Sequence, residues 1–261
     1  MPTVLITGAN RGLGLGFVNA YLAGGWRVIA AVRDPAGAAD LNRISGTAQG
    51  MVTVERCDLE DFTTIEGMGR KLSGTPIDVL LANAALTTSP ASGVGDTDYD
   101  AWMRAFKVNT MAQMKLAETL VENVAASGRK TMYFVSSRIG AKPPAGMILF
   151  RSSKSALNQV VMQLSLLLKD RGIIVACGHP GFVKTKSTAD MGVFTADESA
   201  GYLKKIIDGL TLDKSGQFFE PDGSTLPIVT RQMSSNAFGA KPPDAWDAQQ
   251  KARAKDAASE N

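Results

Sequence analysis

At 261 residues, 44% apolar and 20% charged, the chain suits one large α/β domain with a well-buried core, and no shift in composition marks a linker between two. Its net charge of +3 comes from scattered Lys and Arg, a poor footprint for nucleic acid; no apolar run reaches membrane-span length, and one histidine with two distant cysteines cannot assemble a zinc site, so no metal is expected. Met1-Pro2 leads straight into an apolar run without a signal-peptide core, and Cys57 and Cys177 each end an apolar run as expected buried thiols, so the expected location is cytoplasmic.

The first element is the run Thr3-Val4-Leu5-Ile6-Thr7, which reads as a buried parallel strand. It breaks into Gly8-Ala9-Asn10-Arg11-Gly12-Leu13-Gly14 and then into Phe17, Val18, Tyr21 and Leu22 at helical spacing. Glycines at a strand-to-helix junction let the chain turn sharply and approach a ligand, while free amides and the helix dipole aim at an anion. Further strands are expected at Val28–Val32, Val52–Cys57, Val79–Ala82, Met132–Val135 and Ile173–Cys177, separated by helical segments. The alternation predicts an α/β fold, a single doubly wound parallel sheet with helices on both faces. Two segments, Asp98–Ala126 and Phe150–Lys169, are more apolar than one sheet contact needs. A second partner and a wide core-facing stripe both account for that. From Ile228 onward the chain changes character, so residues 1–227 are expected to form the domain. Residues 228–261 form a tail, with a surface helix started by Asp244 and anchored by Trp246.

Ligands on such a sheet bind beyond the carboxyl ends of its strands. After the second strand stands Val32-Arg33-Asp34. An acid at position 32 would hold the ribose hydroxyls of NAD(H); Val32 with Arg33, and Arg11 within the glycine turn, instead suit the 2′-phosphate of NADP(H). Two ordinary surface arginines remain the alternative. Asp58-Leu59 after the third strand could accept from an adenine amino group, and Asn83-Ala84 after the fourth puts small residues where backbone passes close to a ribose.

Together with Thr7-Gly8-x-x-x-Gly12-x-Gly14, Lys107-Val108-Asn109-Thr110, Val135-Ser136-Ser137 and Ser152-Ser153-Lys154, these motifs identify a resemblance to the short-chain dehydrogenase/reductase family over about residues 3 to 227. The resemblance implies a Rossmann-type fold and an NADP(H) cofactor on Gly8, Asn10, Arg11, Gly12, Leu13, Gly14, Arg33, Asp58, Leu59, Asn83, Ala84 and Lys154. In His179-Pro180-Gly181-Phe182-Val183-Lys184-Thr185 it adds Pro180, Gly181, Val183 and Thr185, near the nicotinamide carboxamide and diphosphate. It assigns catalysis to Asn109, supporting a water relay, Ser137, polarising a carbonyl, and Lys154. It also implies a homodimer or homotetramer through the two apolar helices. Arg33, the His-Pro-Gly segment and Ser215-Gly216 through Asp222-Gly223 look most like the NADPH-dependent carbonyl-reductase branch.

The family's Tyr-x-x-x-Lys is here Phe150-x-x-x-Lys154. Phenylalanine keeps the ring and loses the proton of the general acid, worth typically ~10²- to 10⁴-fold, so Ser137 and Lys154 acting through water should leave weak carbonyl reduction. Tyr21, Tyr99, Tyr133 and Tyr202 occupy no family position that replaces it. The residue is either natural or a deliberate change. His179 reads as structural, Arg151 as pointing away from Lys154, and Arg138 as a group able to meet an anionic substrate. Lys186–Asp197 is expected to be a mobile loop over the pocket, with Met191, Val193 and Phe194 favouring an apolar guest. Three functions follow: an NADP(H)-dependent oxidoreductase acting on a C=O, C=N or activated C=C group; a non-redox isomerase, dehydratase or cyclase keeping NADP(H) as scaffold; and a non-catalytic NADP(H)-binding protein.

Overall fold

The computed structural model describes residues 1–87, 95–140, 146–185 and 188–227. The tail, with Asp244 and Trp246, lies outside these residues. The first half alternates strictly: β1 (Thr3–Thr7), α1 (Gly12–Ala23), β2 (Arg27–Val32), α2 (Ala39–Thr47), β3 (Val52–Arg56), α3 (Phe62–Lys71) and β4 (Val79–Ala82). There follow α4 (Tyr99–Phe106), a π-turn (Lys107–Met111), α5 (Ala112–Ala125), β5 (Thr131–Val135), α6 (Ile148–Leu167), β6 (Ile174–Gly178) and α7 (Ala196–Asp208). Two short strands, β7 (Phe218–Phe219) and β8 (Thr225–Leu226), close the sheet in the order β3-β2-β1-β4-β5-β6-β7-β8. All neighbours are parallel except β7 and β8.

Alternation along the strands divides the core between the two faces. Leu5, Ile29, Leu80, Met132 and Val175 face α3, α5 and α6, whereas Val4, Ile6, Val28, Leu81 and Tyr133 face α1 and α7. Both faces are covered, which is why the strands read as continuous apolar runs. Cys57 and Cys177 are buried free thiols, and burial pushes both pKa values up, that of Cys57 to about 12.

The expected strands are present within a residue or two. The segment expected as one helix over Asp98–Ala126 instead carries a π-turn at Lys107–Met111, and a π-turn widens a helix locally to redirect a side chain. β7 and β8 were not foreseen, because two residues cannot express a periodicity. Helix α7 begins inside the expected loop: Thr195 accepts from the Glu198 amide while the Glu198 carboxylate accepts from the Thr195 amide, a reciprocal cap. Met191 and Val193 are each 70% exposed, so of the three apolar residues expected to face a guest only Phe194 is packed inward, edge-on to Tyr202 at 5.6 Å. Gly16, outside the glycine motif, brings α1 against α7; a Cβ there would stand 2.7 Å from the Ala196 carbonyl oxygen. Among the described residues no helix is long and apolar enough to cross a membrane.

Candidate active site at the carboxyl ends of the strands

The sheet changes winding direction between β1 and β4, the position where a doubly wound sheet opens a crevice. Thr7 holds that crevice. Its Oγ1 accepts from the Asn83 and Ala84 amides, both at 3.0 Å, and Asn83 Nδ2 donates to the Thr7 carbonyl at 2.9 Å. Asn83 therefore spends its amide on the scaffold and positions the β4 end. Gly8, at φ +67°, lies so close that a Cβ would come 2.9 Å from the Ala84 Cβ. A Cβ on Gly14 would fall 2.0 Å from the Gly8 carbonyl oxygen. Gly12, at φ +50°, faces the Thr185 methyl.

Helix α1 opens on Arg11, which supplies no side-chain cap, and its first turn carries no acid. Its leading amides, from Gly12, Leu13 and Gly14, are thus left for an anion. Asn10 is half-buried in the turn, and Arg11 and Arg33 are exposed; neither arginine has an ion-pair partner among the described residues. Val32 is buried at the end of β2. An anion such as a diphosphate fits the uncapped helix start, and Arg11 and Arg33 are exposed cations following β1 and β2. Asp58 caps its own turn, accepting from the Glu60 amide at 3.0 Å, and the Leu59 side chain is buried in the core. The contacts open to these two are consequently from the backbone and the second Asp58 oxygen.

The catalytic candidates converge on the start of α6. Asn109, at the centre of the π-turn and fully buried, accepts from the Leu86 amide at 2.7 Å and donates to the Leu86 carbonyl at 2.9 Å and to Ser153 Oγ at 3.0 Å. Both ends of its carboxamide are therefore engaged within the protein. Thr110 Oγ1 donates to the Ser153 carbonyl, which ties the π-turn to α6 twice. From β5, Lys154 Nζ donates to the Val135 carbonyl at 2.9 Å, and the turn after Ser137 lies against α6, with Ser155 Oγ donating to the Gly140 carbonyl. Ser137 is 8% exposed, and its hydroxyl has no hydrogen-bond partner among the described residues. Phe150 and Lys154 share one face of α6 at i, i+4 spacing, the ammonium 5.8 Å from the ring centroid.

Lys154 is 2% exposed, and burial lowers its pKa from 10.5 to about 8. His179 is likewise held neutral, its pKa lowered to about 4 chiefly by burial; its amide donates to the Phe219 carbonyl, in keeping with a structural role. Arg138 departs from expectation. Its guanidinium makes three hydrogen bonds to the buried Glu220 carboxylate, so its charge is spent within the protein instead of being offered to an anionic substrate. The segment after β6 is held at several points: the Pro180 carbonyl accepts from Ser199 Oγ, Gly181 turns at φ +81°, and Val183 bridges to Phe194. Thr7, Ser153, Ser199 and Glu220 were not foreseen as site residues, because each acts on a partner 19 to 82 positions away.

With this geometry in view, the comparisons decide the family. The model for short chain dehydrogenase matches residues 2–193. The chain belongs to the short-chain dehydrogenase family. A short chain dehydrogenase of Penicillium aethiopicum, gsfK, is 32% identical over 252 residues, covering 87% of this chain and 99% of that protein. Among solved structures, the carbonyl reductase Sniffer of D. melanogaster superposes with a TM-score of 0.81 at 26% identity, covering 87% of this chain and 99% of that one. An NADPH-bound carbonyl reductase from chicken fatty liver gives 0.78 at 26% identity, covering 87% and 98%. This short-chain dehydrogenase thus has carbonyl reductases as structural neighbours, and solved neighbours carry NADP(H).

The buried Lys154 cation has a testable cost. Below pH 8 the folded protein must keep a proton on a desolvated amine; between pH 8 and 10.5 the folded state has released it while the unfolded state still holds it, so stability rises with pH there. Lys154→Met is expected to stabilise the cofactor-free protein by roughly 1–3 kcal/mol at pH 7, an advantage that shrinks by about 2 kcal/mol by pH 9.5. Urea unfolding at the two pH values checks this, and a gain independent of pH would contradict it.

Proposed function

We propose that this chain is an NADP(H)-dependent oxidoreductase that moves hydride between NADPH and a small, fairly apolar substrate bearing C=O, C=N or an activated C=C. One observation carries the reading. The Phe150 ring and the Lys154 ammonium lie on one face of α6, 5.8 Å apart, so a buried cation and an aromatic ring are retained without a hydroxyl on the ring. NADPH bound along the glycine turn would supply the hydride. Gly8, Gly12 and Gly14 give it room, the α1 amides take its diphosphate, and Arg11 and Arg33 take its 2′-phosphate. Ser137 donates its hydroxyl proton as a hydrogen bond to the substrate heteroatom. Lys154, with a pKa of about 8, holds an exchangeable proton near neutral pH and passes it through water.

That route is longer than direct donation from a phenol, so simple ketones are reduced weakly. Substrates that need no acid at the hydride acceptor fare better: an iminium is already cationic, and an enolate formed from an activated enone takes its proton later from solvent. Self-association belongs to the same reading. Met103 and Leu167, each 71% exposed, and Met111 and Leu166 leave apolar side chains uncovered on α4, the π-turn and α6. A homodimer or homotetramer that covers them suits surfaces of this kind.

Cofactor choice is tested by titration. NADPH is expected to bind at least about tenfold more tightly than NADH, and Arg33→Asp to abolish or reverse the preference; equal dissociation constants in the unmodified protein would refute the phosphate assignment. Phe150→Tyr is expected to raise NADPH-dependent ketone reduction by roughly 10²-fold or more, and Lys154→Met in that background to remove the gain. A panel of ketones, enones and cyclic imines followed by NADPH absorbance reads both; product formed without NADPH consumption would replace hydride transfer with a non-redox reaction. Light scattering at micromolar concentration should give the mass of a dimer or tetramer, as expected for an interface larger than ~1,200 Å², and a monomeric mass would refute self-association.

A further inference from the structure

A cavity of about 840 Å³ lies between α7, the loop leading into β8 and the segment after β6. Its walls include Arg138, His179 and Gly181, the last shared with the segment assigned to the cofactor, but not Ser137, Phe150, Lys154 or any residue of the glycine turn. The volume is in the range of small-molecule sites. Phe182, Phe194, Tyr202 and Phe219 give it aromatic walls.

Its charge is unbalanced. Arg138 and Glu220 neutralise one another through three hydrogen bonds. Asp222 accepts from the amide and hydroxyl of Ser224 within its own turn. Lys214 donates to the Gly209 carbonyl and feels the neighbouring Asp213 carboxylate outside the cavity wall, and Lys205 has no ion-pair partner among the described residues. His179 adds no charge at neutral pH. The cavity therefore presents two ammonium groups against one carboxylate, beside aromatic rings.

The cavity also backs the segment that faces the α1 start. A Cβ on Gly181 would meet the Phe194 ring at 2.6 Å and Pro221 at 3.5 Å, and both of those residues line the cavity. The Phe182 carbonyl accepts from the Val193 and Phe194 amides, and the Lys184 amide donates to the Phe194 carbonyl. A guest lying on Phe194 thus braces the ribbon that carries Gly181, Val183 and Thr185.

We propose that this cavity is a second ligand site, adjoining the hydride-transfer site at Gly181, that takes an amphipathic aromatic carboxylate: the rings stack on Phe182, Phe194 and Tyr202, the carboxylate meets Lys205 and Lys214, and the guest stiffens the segments 179–185 and 188–194. No bond is made or broken.

The test uses the full chain and 1-pyrenebutyrate, followed by fluorescence with and without NADPH. Saturable one-to-one binding is expected in both conditions. The neutral 1-pyrenebutanol should bind about tenfold more weakly or worse. Ile206→Trp, which fills the cavity, should cost at least about tenfold, and Lys205→Glu, a surface change that leaves the core alone, about threefold or more. Circular dichroism and thermal melting establish that both variants fold, and the Lys205→Glu result stands if Ile206→Trp does not. Hydrogen exchange of the Val193 and Phe194 amides should slow when the acid is bound. The proposal is overturned by any of four results: no saturable binding up to about 1 mM; equal binding of acid and alcohol; binding that NADPH abolishes and Lys205→Glu leaves unchanged, which would place the probe in the hydride-transfer site; or unaltered exchange in the ribbon. The measurements without NADPH decide the cavity even if the cofactor reading fails.

Discussion

The carboxyl end of the sheet is organised by one hydroxyl. The β1–β4 ladder ends at the pair Ile6 and Leu81, and beyond it the two strands must part to leave a crevice. Thr7 Oγ1 uses both of its lone pairs, on the backbone amides of Asn83 and Ala84, and the Asn83 side-chain Nδ2 donates back to the Thr7 carbonyl. Each such bond is worth only about 1 kcal/mol net. What they fix is position. With β1 and β4 held at that separation, Gly8 lies against Ala84, Gly14 against the Gly8 carbonyl and Gly12 beneath Thr185, so three glycines and an uncapped helix start form one concave surface.

Helix α6 plays the complementary part on the other side. Two successive residues carry its connections: Ser153 is tied to the π-turn through Asn109 and Thr110, and Lys154 to the end of β5 through the Val135 carbonyl. Because neighbours on a helix point about 100° apart, one helix joins two elements at adjacent positions. The buried cation at Lys154 has a carbonyl for a partner and no carboxylate among the described residues, an arrangement that costs stability and places its pKa near the range where proton transfer is useful. A structure selected for stability alone would carry an apolar side chain there.

The segment after β6 joins the two halves. It is attached to β7 at His179, to α7 at Pro180 and to Phe194 by an isolated bridge at Val183. Glu220 reaches across to Arg138 from the end of a two-residue strand. The anchoring of this segment therefore depends on the edge of the sheet, the part least visible in the pattern of residues.

By itself the sequence determined the local features. Apolar runs of four to six residues between helical segments determined the parallel sheet, since burial on both faces demands continuous hydrophobicity, and the glycine spacing determined the turn, since only glycine tolerates those backbone approaches. The ring without a hydroxyl at position 150 is likewise plain in Phe150-x-x-x-Lys154. Tertiary structure alone decided the pairings between distant positions: Thr7 with Asn83, Asn109 with Ser153, Arg138 with Glu220. It also decided that the Asn109 amide is consumed, that the Arg138 charge is compensated, that a π-turn interrupts the helix after Phe106, and that Lys154 is stripped of water. The reason is physical. Periodicity and backbone strain belong to neighbours along the chain, whereas the state of a polar group is set by whatever the fold brings within about 3 Å of it, and no local pattern encodes that partner.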